Sequence, residues 1–286
     1  MTQGRRESGG EVGVSTGEET LRLAVCELPD GLAPQDVAWH GLLSRVDAMR
    51  PQALLLNELP FGVWPAARPC FDQRQAGRVA AVHATGVAAL DHLDVPVLFG
   101  STALSGSDRL INEGFVRAAG RYHALHHKLC LPEEPGFHED SWFKPGSRTF
   151  GVFDHGGFRF AFAICSELMV PEVARTLARG GVDVLLVPRA SSAAGLERWL
   201  TVARATALVN ACYVASSNRT GGGGAPEPDF GGVGFVIDPA GDILAMTEPT
   251  RPLATATLSR QVLALARKTY PMTIHAHLAF EPPRPV

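Results

Sequence analysis

The sequence predicts an α/β domain. Short apolar runs recur along it, stretches with helical spacing separate them, and polar residues gather just past the ends of the runs. Runs such as 53–56 and 182–187 are apolar without alternation, the pattern of strands covered on both faces. Strand and helix alternating in this way build βαβ units with parallel pairing.

Taken in order, residues 21–28 form a first apolar strand. After the Pro29-Asp30-Gly31 turn, Trp39, Leu42, Leu43, Val46 and Met49 recur at helical spacing until Pro51 stops them. Residues 53–56 are a second strand, ending at Asn57-Glu58. A helix over 73–93 places Val79, Val82, Gly86, Leu90 and Leu93 on one face and leads into a strand at 95–99. Residues 111–118 and 121–125 flank Ala119-Gly120 as a hairpin. Residues 133–146 read as a long polar loop holding Glu139 and Trp142, and a loop of that length is commonly functional.

Strands at 149–153 and 158–164 lead to Cys165. Pro171 and Glu172 then open a helix, because proline suits the first turn and an acid complements the positive end of the helix dipole; Gly180-Gly181 ends it. A strand at 182–187, a helix at 196–210 and a strand at 212–217 follow. Residues 220–228, with four consecutive glycines, are expected to be a flexible loop. A hairpin at 232–246 turns at Asp238-Pro239-Ala240-Gly241, and a last strand covers 253–258. The expected organisation is a disordered segment at 1–20, one domain at 21–260, and an extended tail at 261–286 that packs on a partner subunit.

Composition narrows the function. Of the 286 residues 45% are hydrophobic and 19% charged, which supports a real core, and a net charge of -3 offers no basic surface for nucleic acid or anionic lipid. No apolar run reaches the roughly 20 residues needed to span a bilayer. The five cysteines are scattered without a C-x-x-C pair, which argues against a disulfide framework or structural zinc and for a cytoplasmic chain. His123, His126, His127 and Cys130 invite a metal reading, but alternation along a strand sends His126 and His127 to opposite faces, so no metal and no cofactor is expected.

Glu58, Lys128 and Cys165 each stand just past a strand, where open α/β sheets place their chemistry. Brought together, they supply a nucleophile, a carboxylate to take its proton, and a cation to steady an oxyanion, the parts needed for acyl transfer. Each also has an ordinary reading: a buried small hydrophobe for Cys165, a loop acid for Glu58, a surface lysine for Lys128.

The order Glu58, Lys128, Cys165, with Glu139-x-x-x-Phe143-x-Pro145-Gly146 between the last two and Pro171-Glu172 after, resembles the nitrilase superfamily of carbon-nitrogen hydrolases. Asn218-Arg219 and the stretch 231–241 extend the resemblance over nearly all of 21–258. It implies a four-layer α-β-β-α sandwich, a homodimer or higher homo-oligomer packed helix layer to helix layer, and a Glu-Lys-Cys triad with a second glutamate. Cys165 would then be the nucleophile, Glu58 the general base, Lys128 the electrostatic stabiliser and Glu139 the carboxylate that orients substrate and lysine. The chain departs from the family pattern at Asn57, at His126-His127 and at Ser166-Glu167.

The resemblance implies an amidase for a small amide or carbamoyl compound. A nitrilase acting on a nitrile is one alternative, and a catalytically silent binding scaffold of the same fold is another. Trp64 and Trp142 are candidates for an aromatic substrate wall, or else for anchoring their loops. Ser166 stands beside the thiol, and Arg189 stands just past the strand that Pro188 ends, where it either pairs a substrate carboxylate or forms a salt bridge inside the protein.

Overall fold

The computed structural model describes residues 19–224 and 226–273. Residues 1–18 of the expected disordered segment and the second half of the expected tail, 274–286, therefore lie outside the described residues, while Thr20 already belongs to the first strand. Thr20–Pro29 (β1), Val37–Met49 (α1), Ala53–Leu55 (β2) and Gln73–Ala89 (α2) follow the apolar spacing closely. The Asp72 carboxylate caps α2 by accepting the Gln75 backbone N–H, satisfying one of the donors that a helix start leaves unpaired.

Val97–Ser105 (β3), Leu110–Ala118 (β4) and Arg121–His127 (β5) form an antiparallel meander. Its second turn has Ala119 and Gly120 at φ 48° and 71°, the left-handed pair that a two-residue hairpin requires. Residues 133–146 are not structureless. They carry Glu133–Glu134 (β6) paired with Phe137–His138 (β7), then the short helix Glu139–Trp142 (α3). The Glu133 carboxylate organises the segment by accepting from His138 Nδ1 and from the Ser141 N–H and hydroxyl.

Phe153–His155 (β8) and Phe158–Phe162 (β9) form a hairpin, so the first of the two strands starts later than its sequence predicts. Pro171–Arg179 (α4), Val184–Arg189 (β10), Leu196–Asn210 (α5) and Tyr213–Gly222 (β11) complete the alternating part. Two of the four glycines expected in a flexible loop instead extend β11, which pairs there with Asp229–Gly231 (β12). Phe235–Ile237 (β13), Ile243–Met246 (β14) and Leu253–Ser259 (β15) follow. The extended tail expected from 261 begins as a helix, Arg260–Ala266 (α6), because the Ser259 hydroxyl caps it and Leu263 buries itself in the core.

The strands run β5-β4-β3-β2-β1-β11-β10-β9-β8, with parallel pairing from β3 through β1 and β11 to β9. β1 bends between two sheets. Its first part pairs with β2 and β15, and its last residues, Glu27 to Pro29, pair with Asn218 to Thr220 of β11. The sheets face each other through Phe99, whose ring lies 4.8 Å from Phe160 and 6.3 Å from Phe162. On the outer side of the first sheet, Ala24, Leu54, Leu56 and Leu98 pack against Trp39, Leu42 and Val46 of α1. Val173 and Leu177 of α4 and Trp199 and Ala203 of α5 cover the second. Both sheets are thus clad by helices, which is why their strands read as continuous apolar runs.

Candidate active site

Glu58, Lys128, Glu139 and Cys165 come from four separate segments and converge in one buried cluster. Lys128, just past β5, donates from Nζ to Glu58 Oε1 at 2.7 Å and to both carboxylate oxygens of Glu139 at 2.8 and 2.6 Å. Asn112 on β4 donates from Nδ2 to the same Glu58 Oε1 at 2.8 Å. Glu58 Oε2 is buried and has no hydrogen-bond partner among the described residues, so the carboxylate holds its position through one oxygen and keeps the other open to a proton.

Electrostatics follow from that packing. Burial alone would lower the Lys128 pKa, but the Glu139 and Glu58 carboxylates outweigh it and hold the ammonium above its ordinary value. Burial, with Glu58 adding to it and Lys128 opposing it, pushes the Glu139 carboxyl up to about 8. Burial and then the Glu58 charge push the Cys165 thiol up, against the pull of Lys128. A resting thiol in this setting keeps its proton, and a base close by is required to remove it.

Cys165 opens a 3-10 turn at the end of β9 and sits at φ 48°, a left-handed conformation uncommon for a residue with a Cβ. Its Sγ lies 4.0 Å from the Ala190 carbonyl, and 5% of the residue is exposed. Glu167 accepts from the Ile164 and Leu129 backbone N–H groups, both at 2.7 Å, and faces His126 Nε2 at 2.9 Å. The chain that carries Glu58 is clamped by Arg219, which donates to the Glu58, Leu59 and Gly62 carbonyls and pairs with Asp30.

The proposed substrate contacts divide. Trp64 donates its indole N–H to the Gly136 carbonyl at 3.0 Å, and Trp142 to the Arg68 carbonyl at 2.6 Å, so both fasten loops around the site. The Ser166 hydroxyl donates to the Cys130 carbonyl. Arg189 requires correction: it is fully buried and donates to the Ser216 and Ser191 hydroxyls and the Val233 carbonyl, between the Trp199 and Phe235 rings. Among the described residues no carboxylate forms an ion pair with it, so the internal salt bridge expected for it is not formed, and its donors are engaged by protein acceptors instead. A cation at the last residue of a strand can point outward or back into the protein, and the two Ser hydroxyls and two rings decide this one.

Asn112, Glu167 and Arg219 carry roles that no periodicity marks. Arg219 stands in the Asn218-Arg219 stretch of the resemblance, and Glu167 was visible only as a departure from the family pattern. The histidine cluster does not converge: His126 turns to Glu167, and His127 donates from Nε2 to the Glu113 carboxylate at 2.8 Å. Among the described residues no group of three or more His, Cys, Asp or Glu side chains is placed to hold a metal ion, and no helix is long and apolar enough to cross a membrane. A cavity of about 650 Å³ opens beside the segment preceding Glu139, between Ala67, Arg68, Phe137, His138, Ala193 and Asp229.

Residues 81–268, more than half of the chain, match the profile of the carbon-nitrogen hydrolase family. The deaminated glutathione amidase of Synechocystis is 31% identical over 158 residues, covering 54% of this chain and 58% of that protein. The N-carbamoylputrescine amidase of Solanum tuberosum is 32% identical over 143 residues, covering 46% and 48%. The matched segment thus spans about half the length of these curated relatives. A carbon-nitrogen hydrolase from Helicobacter pylori G27 shares the fold with a TM-score of 0.78 at 20% identity, over 88% of this chain and 94% of that one. The chain belongs to the carbon-nitrogen hydrolase family.

Proposed function

We propose that this protein is an amidase that hydrolyses the carbon–nitrogen bond of a small amide or carbamoyl compound through a thioester on Cys165. One observation carries the reading. A single buried carboxylate, Glu58, is pinned through Oε1 by Lys128 and Asn112 and leaves Oε2 open, in a cluster whose charges act on the Cys165 thiol. The amidase names of the two relatives support the class of reaction.

Glu58 Oε2 takes the thiol proton as Cys165 Sγ attacks the carbonyl carbon, and the carbonyl oxygen gains the negative charge. Lys128 Nζ, held by two carboxylates, stabilises that oxyanion without moving far, as a pre-positioned charge does best in a dry site. Glu58 passes its proton to the departing nitrogen, the C–N bond breaks, and ammonia or an amine leaves the thioester. Water then attacks the thioester while Glu58 accepts its proton; that proton returns to the departing sulfur and regenerates the thiol. Glu139 orients Lys128. A small substrate suits the site, because Cys165 is buried with Sγ 4.0 Å from the Ala190 carbonyl, and Ala190 packs in an apolar cluster with Leu59, Trp64, Trp142 and Phe143.

Replacing Cys165 with Ala is expected to abolish ammonia release from a panel of amides, carbamoyl compounds and nitriles, with circular dichroism unchanged. Near-normal release by the variant overturns the reading. Intact-mass detection of an acyl adduct on the parent Cys165, absent from the variant, is the direct support, and turnover confined to nitriles would exchange amidase for nitrilase.

A further inference from the structure

We propose that Glu167 and His126 are a positioning pair that locks the Cys165 turn to the strand end carrying Lys128. The inference rests on the reading of Cys165 as nucleophile. The Glu167 carboxylate joins two backbone groups that immediately neighbour the chemistry: Oε2 accepts from the N–H of Ile164, one residue before Cys165, and Oε1 accepts from the N–H of Leu129, one residue after Lys128. Both bonds are 2.7 Å. His126, two residues before Lys128, presents Nε2 to both carboxylate oxygens at 2.9 Å, and its ring stacks on Phe150 at 4.6 Å. The side chains of both residues are fully enclosed.

Two physical facts make this a device for alignment. A Cys at φ 48° is strained and persists only where its surroundings fix it, and the Ile164 bond fixes the residue before it. Ion pairs and side-chain contacts tie Lys128 to Glu58 and Glu139, but the bonds through Glu167 tie its strand to the thiol turn. Neither Glu167 nor His126 touches the reacting atoms. Their effect passes through the spacing of Cys165 and Lys128.

Two variants test it. Glu167→Gln keeps the volume but has one acceptor oxygen, so either the Ile164 or the Leu129 N–H faces an amide NH₂. His126→Phe keeps the stack on Phe150 and removes Nε2. Glu167→Gln is expected to lower kcat by about a hundredfold with KM changed less than about threefold, the signature of lost alignment rather than lost binding. His126→Phe is expected to lower kcat by roughly tenfold, and the double variant to fall no further than Glu167→Gln because the two act as one unit.

Alkylation of Cys165 by iodoacetamide, followed by intact mass, is expected to slow in the same order, and it needs no substrate. Peptide mapping separates the label on Cys165 from that on the exposed Cys70, and a variant whose folded fraction is alkylated at Cys165 with the parent's rate constant overturns the inference. Should Glu167→Gln fail to fold, a folded His126→Phe with kcat and alkylation within about twofold of the parent overturns it alone. Losses that multiply in the double variant overturn the pairing. A fully active Cys165→Ala removes the nucleophile reading and the inference with it, whereas an inert Cys165→Ala beside a fully active Glu167→Gln removes the inference alone.

Discussion

At Glu139 a carboxylate is buried against a lysine and beside a second acid, and burial raises its pKa to about 8. A raised folded-state pKa means that the folded chain binds more protons than the unfolded chain between the ordinary value of 4.5 and about 8. This site's contribution to stability is therefore complete below about 4.5 and is lost as pH rises through about 8. Glu139→Gln removes that dependence. The melting temperature of the variant relative to the parent is expected to be more favourable at pH 8.5 than at pH 5, and an equal difference at both would refute the assignment.

Arg189 makes a second argument at this scale. Burial pulls its pKa down to about 10, and three neutral acceptors with two aromatic faces hold the guanidinium. Arg189→Ala orphans those acceptors and leaves a cavity, so chemical denaturation is expected to show a loss of about 3 kcal/mol or more. KM per folded site should stay near the parent value; a selective rise in KM with unchanged stability would restore Arg189 as a substrate contact.

Among the elements, α2 shows how closely the frame is drawn around the site. A Cβ on Gly86 would lie 2.1 Å from the Phe61 ring, and Phe61 belongs to the loop that begins at Glu58. Replacing an interior helix glycine with alanine ordinarily gains about 1 kcal/mol. Overpacking a buried ring costs about 1–3 kcal/mol, so the clash outweighs the propensity and Gly86→Ala is expected to destabilise. A rise in melting temperature would show that Phe61 can move aside. The hairpin β6–β7 and helix α3 make the same point by other means, since hydrogen bonds from Glu133 give a polar segment enough local order to hold Glu139 in place.

Across the whole molecule the two sheets meet at Phe99, fully buried against Phe160 and with edges toward Phe153 and Phe162. Phe99→Ala is expected to cost about 3–5 kcal/mol, since ring and packing are lost at the seam between sheets. A cost below about 1 kcal/mol in denaturant titration would mean that the sheets close over the gap. The seam also governs function. Glu58 follows a strand of the first sheet, Cys165 follows a strand of the second, and β1 bridges both through Glu27 to Pro29.

The sequence by itself determined what local periodicity can encode. Apolar runs without alternation marked β2 and β10 as covered on both faces, Leu196–Asn210 was legible as a helix end to end, and the Ala119-Gly120 turn announced the hairpin. It also placed Glu58, Lys128 and Cys165 at strand ends, because a polar residue after an apolar run stands where the run leaves the core. Tertiary structure decided which oxygen of Glu58 is engaged, that Glu167 spans from Ile164 to Leu129, and that Arg189 turns inward. Each of those outcomes needs at least one partner tens of residues away in sequence, and side-chain spacing along one strand carries no information about which distant donor or acceptor will meet it.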